Sequence, residues 1–190
     1  MNGGFALNAL GFSHRFMSEH IKSGGVCIDA TAGRGRDTAF LCSLVGNTGK
    51  VFAFDIQEAA IKETRELLKS EGYSDTVTLI RDCHSNMGRY LKPLTVDGIM
   101  FNLGRLPFGD PNIFSMPETT IRAVEEGLKL LKPKGVMSIC IYCGKENGYD
   151  EKNELLGYIK TIDNKQFEVI TLDFPNRKGD FPIPVFIIKN

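Results

Sequence analysis

The chain has 190 residues, and its 42% hydrophobic and 24% charged residues are ordinary values for a globular protein, which excludes disordered and fibrous classes. Its 23 basic and 23 acidic residues cancel, so binding of a nucleic acid would depend on a local basic patch. Without a signal-peptide pattern or an apolar run of roughly 18 residues, the protein is expected in the cytoplasm and away from membranes. The length favours a single domain over 1–190, with 1–25 as an N-terminal cap segment and helix.

The five cysteines are an odd number in a chain too large to need a disulfide framework, so reduced thiols are expected. Cys140 and Cys143 have the spacing of half a zinc site. Because the sequence offers no second pair at a usable spacing, no metal site is expected.

Short apolar runs alternate with amphipathic stretches along the chain, and this alternation predicts the secondary structure. The predicted strands are Val26–Ala30, Lys50–Asp55, Thr76–Ile80, Val96–Phe101, Val136–Ile141, Phe167–Leu172 and Val185–Ile188. The predicted helices are Ser13–Lys22, Thr38–Val45, Glu58–Ser70, Pro117–Leu131 and Glu151–Ile162. Ser13 is a suitable N-cap for the first of them. The stretch 132–135 is expected to end the fourth helix before the fifth strand begins. The pattern predicts an α/β fold whose seven-stranded sheet is doubly wound, mostly parallel and closed by a C-terminal antiparallel hairpin.

Polar clusters follow the predicted strands at the points where the strands end. These clusters lie at 29–38, 55–57, 82–84, 102–107 and 142–148. Ligands of such sheets bind beyond the carboxyl ends of the strands, near the point where the strand order reverses. The sequence therefore places its candidate site at this edge.

The glycine-punctuated turn after the first strand is typical of a nucleotide-cofactor site. Gly33 and Gly35 allow a sharp bend and a close approach of the backbone to a ligand. A dinucleotide site would need a third small residue where Thr38 stands, and Asp29 and Asp37 would repel a pyrophosphate. S-adenosylmethionine is cationic at its sulfonium and amino group, so Asp29 favours it electrostatically, while turn amides and the hydroxyls of Thr31 and Thr38 suit its carboxylate.

Two further carboxylates extend this interpretation along the edge. Asp55, followed by Ile56 and Gln57, lies 22 residues after Gly33, where an acceptor for both ribose hydroxyls is needed. Asp82 is placed to accept from the adenine amino group. Asp55 could instead cap the following helix, and Asp82 and His84 could instead satisfy a loop.

Together these residues resemble the YtqB-like family of class I S-adenosylmethionine-dependent methyltransferases. The likeness covers nearly the whole chain and is carried by Phe12-Ser13-His14, by 29–38, by Asp82 and His84, by Asn102-Leu103-Gly104 with Leu106-Pro107, by Pro117-Glu118-Thr119-Thr120, by the loop after Ile141-Tyr142 and by Asn176-Arg177. It implies a Rossmann-like fold, S-adenosylmethionine as cofactor and an RNA substrate, with tRNA favoured over rRNA. The implied acceptor is the amine of 5-aminomethyl-2-thiouridine at the tRNA wobble position.

Two loops depart from the family pattern. Lys145 stands where the family has a histidine, and Pro182-Ile183-Pro184 stands where it has a pair of prolines. Both loops are candidates for the acceptor side of the pocket, so they bear on the identity of the substrate and not on the cofactor.

Methyl transfer from a sulfonium needs alignment and exclusion of water more than a covalent catalyst. Asn102 is the candidate catalytic residue that accepts a hydrogen bond from the acceptor amine, and it also borders the cofactor. His84 is the candidate base, since an alkylamine must lose a proton before it attacks. His84 and Asp37 are also expected to bind the cofactor. The remaining candidates, expected to bind substrate, are His14, Arg105, Pro107, Tyr142 and Arg177. A basic patch for RNA is expected from His14, Arg15, Arg34, Arg36, Arg105, Arg177 and Lys178. Tyr142 could instead be ordinary packing at a strand end, and each charge could be solvated surface.

Three other functions share the same cofactor residues. They are an rRNA methylase, a small-molecule methyltransferase and a non-catalytic module that binds S-adenosylmethionine. The edge hairpin or the N-terminal helix could also form the interface of a homodimer.

Overall fold

The computed structural model describes residues 7–104, 115–142, 148–177, 179 and 181–190, without the side chains of 148–151. Within these residues helices flank a seven-stranded sheet. Its strands are β1 (Val26–Asp29), β2 (Lys50–Asp55), β3 (Val77–Arg81), β4 (Val96–Asn102), β5 (Leu131–Ile141), β6 (Phe167–Thr171) and β7 (Ile183–Lys189). The helices are α1 (Ala9–His20), α2 (Arg36–Val45), α3 (Glu58–Ser70), α4 (Pro117–Leu130) and α5 (Gly148–Ile159), and a 3-10 helix covers His84–Arg89.

The strands lie in the order β3-β2-β1-β4-β5-β7-β6. Strands β1 to β5 are parallel, while β7 is antiparallel to both β5 and β6. This arrangement confirms the predicted doubly wound sheet with a C-terminal antiparallel hairpin. The order reverses between β1 and β4, so the carboxyl ends of these two strands mark the expected ligand position.

Apolar side chains cover both faces of the sheet, as the continuous apolar runs in its strands require. One face packs on α4, α5 and the 3-10 helix through a cluster that includes Ile99, Val124 and Leu155. The opposite face packs on α1, α2 and α3 through Met17, Leu41 and their neighbours. Each such buried side chain contributes about 1.5–3 kcal/mol of hydrophobic free energy, which fixes the strands and hence the positions of the loops at their ends.

The predicted start of the first helix, α1, and its predicted N-cap are wrong. The helix begins at Ala9, four residues before the predicted start, and its N-cap is Asn8, whose side chain accepts from the Gly11 N–H at 2.8 Å. Ser13 is therefore not the cap; it is buried within α1, with its Oγ 3.1 Å from Sγ of Cys140 in β5. The packing of α1 on the sheet outweighs the poor helix propensity of Gly11.

Helix α4 ends at Leu130, before the predicted helix break at 132–135, but the predicted start of the fifth strand at Val136 is wrong, because β5 starts at Leu131, directly after α4. Its register against β4 jumps from Val96–Leu131 to Gly98–Val136, and Lys134 has φ +66° within the bulge. A bulge leaves residues unpaired without ending the strand, and Pro133, which has no N–H, fits an unpaired position.

The other boundary differences are small. Helix α2 begins at Arg36, two residues before its predicted start, and α5 lies three residues earlier at both ends. The 3-10 helix over His84–Arg89 was not predicted. Among the described residues, no helix combines the length and apolarity that crossing a membrane requires.

Candidate active site

The turn after β1 is held tightly against α3. Gly33 and Gly35 have φ values of +52° and +80°, in the left-handed region that favours glycine. A Cβ at Gly35 would lie 2.9 Å from Cγ2 of Thr64, whose hydroxyl donates to the Gly33 carbonyl at 3.0 Å. Gly35 is the N-cap of α2, so the first amides of that helix have no partner within the helix and open onto the turn.

Asp29 lies beneath this turn and organises it. Its Oδ2 accepts from Thr38 Oγ1 at 2.6 Å, and its Oδ1 accepts from the Thr31 N–H at 3.1 Å. The side chain is 1% exposed, and burial, with a further contribution from Asp37, raises the pKa of Asp29 to about 7. The carboxylate is therefore enclosed by the turn and hydrogen-bonded to Thr31 and Thr38.

This buried carboxylate makes stability depend on pH. The folded protein holds a proton on Asp29 more firmly than the unfolded chain does, so the contribution of this group to stability falls as pH rises from 3.8 to about 7. We expect the Asp29→Asn variant, which cannot titrate, to show a flatter dependence of the urea midpoint on pH across this window. Equal slopes for the two proteins would contradict the assignment.

Asp55 joins the ends of β2 and β1. Its Oδ2 accepts from the Gly33 N–H at 3.0 Å, and its Oδ1 accepts from the Gln57 N–H at 2.8 Å. The N-cap of α3 is Gln57, so Asp55 is not the cap of that helix. Burial raises the pKa of Asp55, while these backbone hydrogen bonds lower it. Ile56 beside it is 50% exposed.

Asp82, at the end of β3, has most of its acceptor capacity in use. Its Oδ1 accepts from the Cys83 N–H at 2.7 Å and from the Asn86 amide at 2.8 Å, and its Oδ2 accepts from the Tyr90 hydroxyl at 2.9 Å. The hydrogen bond from Asn86 is the largest cause of a lowered pKa for Asp82. One lone-pair position remains on Oδ2, enough for a single N–H donor.

His84 anchors the 3-10 helix to the turn after β1. Its Nδ1 lies 3.2 Å from the Ala30 carbonyl, which can only accept, so the proton is assigned to Nδ1. Its Nε2 is buried without a hydrogen-bond partner among the described residues, and burial lowers the pKa of the ring. With the proton on Nδ1, the lone pair of the neutral ring lies on Nε2, and burial favours this neutral form.

A chain of side chains links α1, α2 and β4, and this chain was missed by the sequence interpretation. His14 Nε2 lies 2.7 Å from Asp37 Oδ1, and the Asn102 amide donates to Asp37 Oδ2 at 3.3 Å. The His14 ring stacks on Phe40, with 3.9 Å between centroids. These contacts join residues 23 and 65 positions apart in sequence, so no local motif could have indicated them.

The same contacts fix how Asn102 is presented. Its main-chain N–H donates to Thr31 Oγ1 at 2.7 Å. Because a carboxylate can only accept, Nδ2 must face Asp37, and Oδ1 is the end of the amide that can still accept a hydrogen bond. Asn102 Oδ1 is buried without a hydrogen-bond partner in the described part of the chain.

Tyr142 lies beside Asn102 at the end of β5 and is 38% exposed. Burial of part of its side chain raises the pKa of Tyr142, while a hydrogen bond from Asn102 lowers it. A Cβ at Gly104 would be 3.7 Å from Cβ of Tyr142, so the Tyr142 side chain packs beside Gly104.

The predicted basic patch is mostly paired within the chain. His14 contacts Asp37, Arg15 contacts Glu19, Arg34 lies 3.3 Å from Glu63, and Arg177 donates to the Leu7 carbonyl. Arg105 and Pro107, with Lys178 of the patch and Lys145, lie outside the described residues. The described cations therefore do not form a free cluster at the strand ends.

A surface cavity of about 600 Å³ lies between α2 and α3 and is lined by residues that include Arg36, Phe40 and Tyr73. None of Asp55, Asp82 and Asn102 lines it. The candidate site is thus defined by its polar groups at the strand ends and not by this cavity.

Comparison with known proteins places the chain among methylases. The family model described as "Putative rRNA methylase" matches residues 51–188. A solved structure of the same description from Clostridium thermocellum is 44% identical, with a TM-score of 0.95 over 97% of this chain and 99% of that one. A methyltransferase from Streptococcus mutans in complex with SAH is 33% identical, with a TM-score of 0.88 over 97% of this chain and 99% of that one.

A chloroplastic tRNA (mnm(5)s(2)U34)-methyltransferase of Arabidopsis thaliana is 36% identical over 148 residues. The match covers 73% of this chain and 54% of the relative, so the chain spans about half the length of that protein. With the family model, the structural neighbours and the strand order in agreement, the chain belongs to this rRNA methylase family of S-adenosylmethionine-dependent methyltransferases, and S-adenosylmethionine is its cofactor.

Proposed function

We propose that this protein transfers a methyl group from S-adenosylmethionine to an amine of tRNA, the amine of 5-aminomethyl-2-thiouridine at the wobble position. The observation that carries the proposal is the buried Oδ1 of Asn102, which has no hydrogen-bond partner among the described residues and lies at the point where the strand order reverses. The named activity of the Arabidopsis relative supports the choice of tRNA and of this nucleoside.

The residues at the strand ends suit the cofactor. The free amides that open α2 and the Thr31 hydroxyl suit a carboxylate. Each oxygen of Asp55 accepts one backbone N–H and can accept another, which suits the ribose hydroxyls. The open position on Asp82 Oδ2 suits the adenine amino group, and Ile56 and Gln57 border the same space.

S-adenosylmethionine supplies a methyl carbon bonded to a positive sulfur, which leaves as a neutral thioether when the amine nitrogen attacks. The role of the chain is to aim that nitrogen. Asn102 Oδ1 accepts an N–H of the amine and directs its lone pair at the methyl carbon, while Tyr142 excludes water from one side. The neutral His84 ring offers a base for the proton that the amine must lose first.

In this account Asp37 is a positioning residue, because it holds the Asn102 amide with Oδ1 presented. We expect Asp37→Asn to lower kcat roughly 100-fold, the usual effect of misplacing a reacting group by about 1 Å, while the Kd of S-adenosylmethionine stays close to that of the wild type. Asp163→Asn, an exposed turn carboxylate, is the matched control. A rise in Kd with kcat unchanged would instead place Asp37 in the cofactor site.

The proposed function is tested by supplying the purified protein with labelled S-adenosylmethionine and undermethylated RNA. Total tRNA, rRNA and a small-molecule extract are incubated separately, and the RNA products are digested to nucleosides for mass spectrometry. We expect label in tRNA, in the methylated form of 5-aminomethyl-2-thiouridine. Label in rRNA alone would favour the rRNA methylase alternative, and label in neither RNA would contradict an RNA substrate.

A further inference from the structure

A second cavity, of about 260 Å³, lies beside Tyr142. Residues at the start of α1 and residues between β6 and β7 form the rest of its wall. Its lining consists of Asn8, Ala9, Leu10, Tyr142, Phe174, Arg177, Phe181 and Pro182. The cavity therefore shares with the candidate site the side chain of Tyr142, which also receives a hydrogen bond from Asn102.

One wall of this cavity contains cation–π contacts between Arg177 and two phenylalanine rings. The Arg177 guanidinium lies 4.3 Å from the centroid of Phe174 and 5.5 Å from that of Phe181. It also donates to the Leu7 carbonyl, and Phe174 packs on Phe12 of α1 at 5.9 Å between centroids. These contacts hold Arg177 in the wall of the cavity.

The cavity presents flat apolar surface together with positive charge. Phe181 is 40% exposed and Tyr142 is 38% exposed, so both rings keep apolar area that a partner could cover. Exposed aromatic rings beside a guanidinium are the chemistry that binds an unstacked nucleobase, through stacking and cation–π contact. At about 30 Å³ of liquid for each water, the volume corresponds to about nine water-sized groups, comparable with the heavy atoms of one pyrimidine ring.

We propose that this cavity binds a second nucleobase of the RNA substrate, the base adjacent in the chain to the methylated nucleoside. The inference rests on the proposed function and extends it to a specificity site. A wobble base must leave its stack to reach Asn102, and a neighbouring base held between Tyr142 and Phe181 would keep the RNA backbone in that extended form.

The test measures binding of anticodon stem-loops to the full-length protein. Loss of one stacking ring costs about 1–3 kcal/mol, so Phe181→Ala is expected to raise the Kd of the intact stem-loop between about 5-fold and 150-fold. Stem-loops with an abasic site on the 5′ or on the 3′ side of the target nucleoside complete a double-mutant cycle. With one of these two RNAs, wild type and Phe181→Ala are expected to bind equally.

Leu94→Ala is the control, since Leu94 is 53% exposed and precedes the amino end of β4, whereas Tyr142 follows the carboxyl end of the neighbouring strand β5. It should leave RNA binding unchanged, and both variants should keep the wild-type Kd for S-adenosylmethionine. If Phe181→Ala weakens intact and abasic RNAs by the same factor on both sides, or leaves the binding of the intact RNA unchanged, Phe181 does not contact a flanking base and the inference is overturned. If the wild type neither binds nor methylates any stem-loop, the proposed function fails and the inference with it.

Discussion

Replacing Asp55 by alanine is expected to weaken the binding of S-adenosylmethionine by about 100-fold or more. In the proposed site two ribose hydroxyls donate to this carboxylate, and the change removes both hydrogen bonds, each worth about 1.5–3 kcal/mol. A loss of about 3 kcal/mol corresponds to two powers of ten in Kd. It also releases the Gly33 N–H, which Asp55 holds at 3.0 Å. Calorimetric titration with S-adenosylmethionine measures the effect directly.

Glu58 supplies the matched control for this prediction. It lies at the start of α3, three residues from Asp55, and its carboxylate is largely exposed and paired with Arg81. Glu58→Ala removes a carboxylate from the same edge of the sheet without touching the turn, so it should bind S-adenosylmethionine as the wild type does. Unaltered binding by Asp55→Ala would remove the main support for the proposed cofactor site.

Replacing Asn102 by alanine is expected to abolish most of the methyl transfer without a comparable loss of cofactor binding. The variant loses the acceptor that aims the amine, and misalignment of a reacting nitrogen by about 1 Å costs roughly 100-fold in rate. Single-turnover kinetics on an anticodon stem-loop, with the protein saturated in S-adenosylmethionine, separates this loss from weaker binding.

Two comparisons make the result specific to Asn102. Asn164→Ala, at an exposed turn before β6, controls for the loss of any asparagine and should keep full activity. Asn102→Asp keeps an oxygen acceptor but places a second carboxylate against Asp37, so it should be as slow as Asn102→Ala. Full activity in Asn102→Ala would show that another group orients the amine.

The fold could be predicted from the sequence because its signals are local. In a parallel sheet covered on both faces, strands are continuous apolar runs, and Val51, Ala53 and Phe54 in β2 are buried as such a run requires. The errors arose where tertiary packing outweighs local propensity. The packing of α1 extends it past Gly11 to Asn8, and pairing with β4 carries β5 through the Pro133 bulge.

The candidate site was only partly predictable. Carboxylates that end strands, such as Asp55 and Asp82, are visible as sequence positions because a strand's end determines its edge of the sheet. The acceptors and donors that each side chain meets are set by distant segments. Neither the inward-facing carboxylate of Asp29 nor the contact of Asp37 with His14 and Asn102 leaves a sequence pattern.

The most direct test of the account compares two anticodon stem-loops that differ only in the wobble nucleoside, one with 5-aminomethyl-2-thiouridine and one with 2-thiouridine. Each is incubated with the protein and S-adenosylmethionine, and the nucleosides are then identified by mass spectrometry. We expect one methyl group on the side-chain amine of the first RNA and none on the second. Methylation of both RNAs at another atom, or of neither, would contradict the proposal that Asn102 directs an amine to the methyl donor.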